Sequence, residues 1–550
     1  MRPIAIVGFF LAGLFFVGAL MFAWLFLVPG SSLFGVYAVD RETAITYRVA
    51  DNPGLLTILG SNNIIISSHD IPVEIRMRKE GQYSEGSIEV WERATGVSFN
   101  GIRGTHVTWD QVIVVDEHGM GVPFARIFIH EPAGSLSRNG HVYINLFSDA
   151  NSAQQDFNFI LDTRRSSVRF DSDDTDFSVL NINTLHVRNA RGSINFPSPT
   201  LPHHFRVNIQ NIHVDSDNVS INNRVHRERI NNPNNGRVRV TGNNVSLVLG
   251  NIHSNVYVTG NNARLNFGNV EGHVQIGTAE SHVASATLNA GNIESNLRLY
   301  GNGTINVAQC HALIVRGGTV TATVRQRANQ VDFIATERGA LTVHQVSDDA
   351  RRLLGVDDAY VRIIHGSVTL RNVFTNVRVW TINDSFLGNA TAAVHFSPSI
   401  DVNSANLPTL SVEARDGNVT ATNIVGVVNI TVRPLGFAVI NADFRRITGY
   451  STIEYMGPAQ PTGNRGNITV TLTNNIHPAR ITIQNSAGAR NYTGLLRNAN
   501  DELIGSLRPD NYLSNGAQYK VNAEGISMGS LFDNLVLITS NTIRINSRTG

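Results

Sequence analysis

The chain has 550 residues, enough for three or four domains at about 100–200 residues each. Charged residues are only 16% of it, against roughly 25% in an average soluble domain, and the formal net charge of +1 removes the electrostatic case for nucleic acid. A single cysteine, Cys310, excludes a disulfide framework and a multi-cysteine metal centre.

The run Ile4–Val28 carries no charge over 25 residues, and Pro29-Gly30 ends it. A helix of that length spans a hydrocarbon core of about 30 Å. Residues 1–30 are therefore predicted to be a transmembrane signal anchor, with a cleaved leader and a secreted product as the alternative. Arg2 precedes the span, while Asp40, Arg41 and Glu42 nearly cancel after it, so residues 31–550 are placed outside the cytoplasm.

Residues 31–60 read as a linker and lead-in strand, and 61–175 as a β-rich N-terminal domain or cap without a period. Runs such as Ile71–Met77, His141–Leu146 and Val207–Ile212 alternate apolar and polar residues, which points successive side chains to opposite faces of a sheet. Helical patterns are few, and Asp348–Leu354 is the best of them.

Residues 176–450 carry a repeat. Val238–Asn255 and Val256–His273 match at 9 of 18 positions at a fixed offset of 18. A third copy opens at Val274-Gln-Ile276, and a fourth at Leu297-Arg-Leu299 after five extra residues. One unit holds two short strands and two turns. Val245, Leu247 and Leu249 face one way, Ser246 and Val248 the other. A single unit cannot bury its apolar stripe, whereas stacked copies make a continuous core. The 59 asparagines fit the same picture, since Asn tolerates the left-handed turn backbone and stacked amides bond along a ladder. The fold class is thus all-β, a parallel β-solenoid or β-helix-like array behind one N-terminal transmembrane helix. A meander of hairpins is the rival, because Gly-Asn-Asn also suits hairpin turns. Residues 451–550, after a Pro/Gly-rich break at 457–466, complete it as C-terminal coils and a cap.

The Gly-Asn-Ile/Val turns at 250–252, 268–270 and 291–293 resemble those of the bacterial adhesin β-repeat family of the head-domain type, best over about 180–440. The resemblance implies a right-handed β-solenoid in the cell envelope behind one membrane segment. It implies no chemistry and no functional residues.

Few residues signal chemistry. Asp171, Asp173, Asp174 and Asp176 could offer oxygen ligands to calcium, but they lack the glycine and distal glutamate of an EF-hand, and a solvated loop explains them as well. The 18 histidines are scattered, and His203-His204 has no helical partner spacing. Cys310 reads as a small buried hydrophobe. Glu271, Glu280 and Glu294 are the only acids of the regular repeats, and nothing singles out a catalytic pair. Arg224, Arg227, Arg229, Arg237 and Arg239 form a basic strip that could touch anionic envelope polymer or lipid head groups, or simply keep the strands soluble. No cofactor is predicted. The expected role is a non-enzymatic surface structure or adhesin, with the membrane as one partner and an envelope polysaccharide or surface protein as another. An envelope scaffold or sensor platform is the second reading, and a polysaccharide-active β-helix enzyme the third.

Overall fold

The computed structural model describes residues 15–16 and 35–473, apart from 80–85, 99–103, 116–118, 133–134, 149–155, 172–178, 189–190, 197–205, 224–236, 356–357, 382–389, 416, 434–437, 447–450 and 456–467; beyond 473 it describes the backbone of seven strands up to 548. Among the described residues the protein is β throughout, with two short helices, Gly54–Leu59 and Asp349–Leu354. No described helix is long and apolar enough to cross a membrane, and the Ile4–Val28 segment lies outside the described residues except for Phe15 and Phe16. The chain divides into two compact units, Met1–Ser254 and Asn255–Gly550.

In the first unit, parallel strands stack in two columns. One column runs from Gly121–His130 through Asn63–Ser68, Asp156–Thr163, Val179–Arg188 and Arg206–Val214 to Arg237–Val240. The other runs from Ser135–Ser148 through Val73–Lys79, Val168–Asp171, Ser193–Asn195 and Ser220–Asn223 to Ser246–Leu249. From Asp156 onward the chain visits the columns alternately. Register is set by period-two hydrophobicity, because a one-residue slip would turn every apolar side chain outward. Ile64, Phe159, Leu185, Ile212 and Val238 lie in successive register and all are buried. Val245, Leu247 and Leu249 are buried as the repeat predicts, while Ser246 and Val248 are not.

The parallel columns begin at Asn63, well upstream of the periodic repeats. There the coil partners are 95 residues apart, as in the Asn158–Asn63 bond, so no short period marks them. Antiparallel strands occupy the intervening sequence. His106–Val115 pairs with Gly121–His130, Ser87–Ser98 with Ser135–Ser148, and Gly35–Arg48 with Ser87–Ser98. These pairings, with the helix Gly54–Leu59 burying Leu55, Ile58 and Leu59, cover the strand edges that would otherwise invite association.

Asparagine ladders tie the coils. Asn158 Nδ2 donates to Asn63 Oδ1 at 2.8 Å, Asn183 Nδ2 to Asn158 Oδ1 at 2.9 Å, and Asn211 Nδ2 to the Asn183 carbonyl at 3.0 Å. Asn158 both donates and accepts, so Asn158→Ala is expected to cost about 1–3 kcal/mol, read as a drop in midpoint on denaturant unfolding of the full chain. An unchanged midpoint would show that water replaces the ladder without loss.

In the second unit the predicted repeat register is met residue for residue. Val256 pairs with Val274 and Val274 with Leu297. The five extra residues sit in a turn closed by the Thr278 and Ser281 backbone, and the strands on either side keep their pairing. Two parallel columns continue, one through Asn376–Trp380, Leu410–Ala414, Val428–Val432 and Ser451–Tyr455, the other through Ala390–Phe396, Val419–Ile424, Ile440–Phe444 and Ile468–Thr473. A hairpin meander would pair these strands antiparallel, and they are parallel. Turn asparagines Asn218, Asn244 and Asn262 have φ of 59°, 56° and 56°, the left-handed backbone that their Asn-Asn and Asp-Asn turns predict. The helix Asp349–Leu354 starts where Asp348 accepts the Arg351 N–H and stops at Gly355, φ 66°. Cys310 is buried, and burial pushes its thiol pKa up to about 12.

Candidate functional site

A recess lies in the first unit, where chain corners lead from one column to the other. These corners stack. The N–H groups of Arg164 and Arg165 donate to the carbonyls of Ser68 and His69, and a Cβ on Gly192 would lie 2.1 Å from the Ser166 carbonyl oxygen. Inside, the buried hydroxyls of Ser68 and Ser166 meet at 2.7 Å. Outside, His69, Arg164, Arg165, Arg191, Asp215 and Asp217 border a polar cavity of about 560 Å³.

Asp215 also borders a second recess of about 500 Å³ on the outer side of the first column. Its floor presents His186, Arg188, His213 and Arg239, and the strands His106–Val115 and Gly121–His130 wall it with Val114, Val122 and Phe124. His186 Nε2 and Asp215 Oδ2 are 2.7 Å apart, and Thr241 Oγ1 donates to Asp215 Oδ1 at 2.7 Å. The His186 and His213 rings meet edge to face at 5.8 Å. Asp217 Oδ1 accepts the Asn243 N–H at 2.6 Å.

Burial holds His186 below the usual histidine range, and the positive charge of Arg188 adds to it, outweighing the hydrogen bond to Asp215. Burial alone would raise Asp215, but the hydrogen bonds from Thr241 and His186 and the charges of His186 and Arg239 prevail and hold it low. His186 Nε2 thus stands within hydrogen-bond distance of Asp215 Oδ2 and also of Arg188 Nε, 3.4 Å away. Among the described residues His186 bonds no serine, cysteine or threonine, so the pair has no attached nucleophile. The groove is equipped instead to hold oxyanions through guanidinium groups and hydroxyls through its carboxylates.

His395, also lowered by burial and by Arg371, behaves like His186. The sign follows from linkage. The unfolded chain takes up these protons near pH 6.5, the folded chain only at lower pH, so stability is full above about 6.5 and declines as pH falls below it. Asp215 adds to the loss only below the ordinary aspartate value of about 3.9. The full chain is therefore expected to melt at lower temperature at pH 5 than at pH 7, with a smaller difference in a His186→Gln, His395→Gln variant. An equal difference in both would contradict the assignment.

Of the residues singled out in sequence, Arg239 faces the groove, and the Arg237 N–H bonds Asn211 Oδ1. Arg224, Arg227, Arg229, His203 and His204 lie outside the described residues, as do Asp173, Asp174 and Asp176. Asp171 pairs with Arg169 at 2.5 Å, and no described group of three His, Cys, Asp or Glu could hold a metal. Glu271, Glu280 and Glu294 are exposed in the second unit. The groove residues themselves escaped the sequence reading, although one trace of them exists. Asn181-Ile182 with Leu185-His186-Val187 recurs 27 residues later as Asn208-Ile209 with Ile212-His213-Val214, and the structure pairs His186 with His213. No family model, curated protein or solved structure matches the chain.

Proposed function

We propose that the protein is a membrane-tethered, outward-facing parallel β-solenoid with a structural or adhesive role at a cell surface and no turnover of its own. The observation that carries this reading is the parallel register of the two columns in each unit, which repeats like side chains coil after coil. Such a surface suits many weak contacts made at once. The uncharged Ile4–Val28 segment supports the tether, and the resemblance to adhesin β-repeats supports the surface role. Fractionation with protease treatment of intact cells tests it. The full-length chain should stay with membranes after alkaline extraction and be cut from outside. A soluble chain that external protease never reaches would overturn the reading.

The His186–Asp215 pair in a groove favours a second reading, hydrolysis of carbohydrate. That reading requires new reducing ends to appear from a polysaccharide and to vanish in His186→Ala.

A further inference from the structure

We infer that the corner groove of the first unit binds an acidic polysaccharide, its guanidinium groups taking carboxylate or sulfate groups of successive sugars. The inference deepens the surface role and rests on it for where the ligand would be met.

Three observations carry it. The first is spacing. His69, Arg164 with Arg165, Arg191, and Asp215 with Asp217 come from four successive coils, and parallel strands repeat at about 4.8 Å. That step is close to the length one sugar adds to an extended polysaccharide, so the corners can meet consecutive residues of one chain. The second is availability. Elsewhere Arg76, Arg126, Arg169, Arg316, Arg327 and Arg352 each pair with a carboxylate. Among the described residues no carboxylate pairs with Arg164, Arg165 or Arg191, and all three are exposed at the cavity. A planar guanidinium fork matches carboxylate and sulfate oxygens in bidentate fashion, which a lysine ammonium does not.

The third is a precedent within the chain. At the end of the same row of corners the Glu131 carboxylate accepts the N–H groups of His69 at 2.7 Å, Asp70 at 2.9 Å and Ile71 at 3.2 Å. This succession of backbone donors is an anion nest, and it shows that a carboxylate fits against these turns. The remaining walls suit a sugar. Asp215 and Asp217, which border the same cavity as the arginines, keep acceptor capacity for hydroxyls. The net charge of +1 removes the electrostatic case for nucleic acid, and a recessed cavity opposes a flat lipid surface.

The test uses the full chain in neutral detergent micelles, run by affinity electrophoresis through gels holding polygalacturonate, dextran sulfate or neutral dextran. The first two should retard the protein and the third should not, and the stronger of the two names the acidic group. The Arg164→Glu, Arg165→Glu, Arg191→Glu variant should lose binding at least tenfold. A control with two reversals in the second unit, Arg264→Glu and Arg298→Glu, should retain it. Melting curves of both variants, expected to match the parent, separate lost binding from lost fold. Retardation equal in the groove variant, or absent with both acidic polymers, overturns the inference. So does binding confined to phosphatidylglycerol vesicles, which would assign the groove to lipid. Because binding is measured on purified protein, it can fail while the surface location stands, and the reverse.

Discussion

Gly366→Ala, one added methyl group, should destabilise the second unit by about 2–6 kcal/mol, from the strain of a left-handed backbone and the cost of overpacking together. Gly366 has φ 119°, and an ideal Cβ there would lie 1.9 Å from the Gly339 carbonyl oxygen and 2.9 Å from its carbon. The obstacle is backbone, so no side chain can swing aside. The two glycines face each other in register because the strands Ala328–Val343 and Asp358–Val373 both bend at this corner and remain paired beyond it. Glycine is needed here on two grounds, the sign of φ and the closeness of the coil beneath. Gly54 is the contrast. It opens a short helix with nothing within 4 Å of its Cβ position, so Gly54→Ala should be neutral or add up to about 1 kcal/mol. Amide hydrogen exchange of the full chain distinguishes the outcomes. Faster exchange in 328–373 for Gly366→Ala and none for Gly54→Ala is expected. Equal behaviour would mean that the coils do not approach as closely as the corner requires.

His365-Gly366-Ser-Val-Thr-Leu370 echoes the repeat faintly, and the reason for both the echo and its faintness is physical. What recurs is what stacking demands: an aliphatic residue at every second position, and a turn residue that tolerates positive φ. Between Val256 and Leu299 both demands fall at nearly constant spacing, and the pairing of Val256, Val274 and Leu297 could be written down from the letters alone. Where loops lengthen a coil, the same strands still pair but the letters drift apart. Leu410 pairs with Val377 across 33 residues and with Val428 across 18. In residues 61–175 the drift is extreme, since the antiparallel strands intervene between one coil and the next. The groove was the least legible part. Each coil contributes only one or two corner residues to it, and corners carry no periodicity in hydrophobicity, so the 26-residue step from Arg165 to Arg191 to Asp217 has no apolar pattern to announce it. Only Arg239, flagged for its basic neighbours, and the repeated His-Val of 186–187 and 213–214 left a trace.

The core beneath that groove gives the second large effect. Phe170→Ala is expected to cost about 3–5 kcal/mol, the range for emptying a buried aromatic position. Phe170 is fully buried, its ring edge-on to Phe159 at 5.2 Å and stacked on Phe196 at 4.9 Å with 8° between planes. Phe159 belongs to one column and Phe170 to the other, so this contact joins the two across the core. The chain that links their strands is 164–167, the corner carrying Arg164 and Arg165. A cavity at Phe170 therefore loosens the support of the binding corner as well as the core, since the neighbouring rings belong to different coils and close poorly over the gap. Phe170→Leu keeps most of the volume and should lose less than half as much. Denaturant unfolding of the full chain, followed by tryptophan fluorescence, orders the three proteins. If Phe170→Ala unfolds no earlier than Phe170→Leu, then the two columns do not share one packed interior, and the groove above them has no rigid floor.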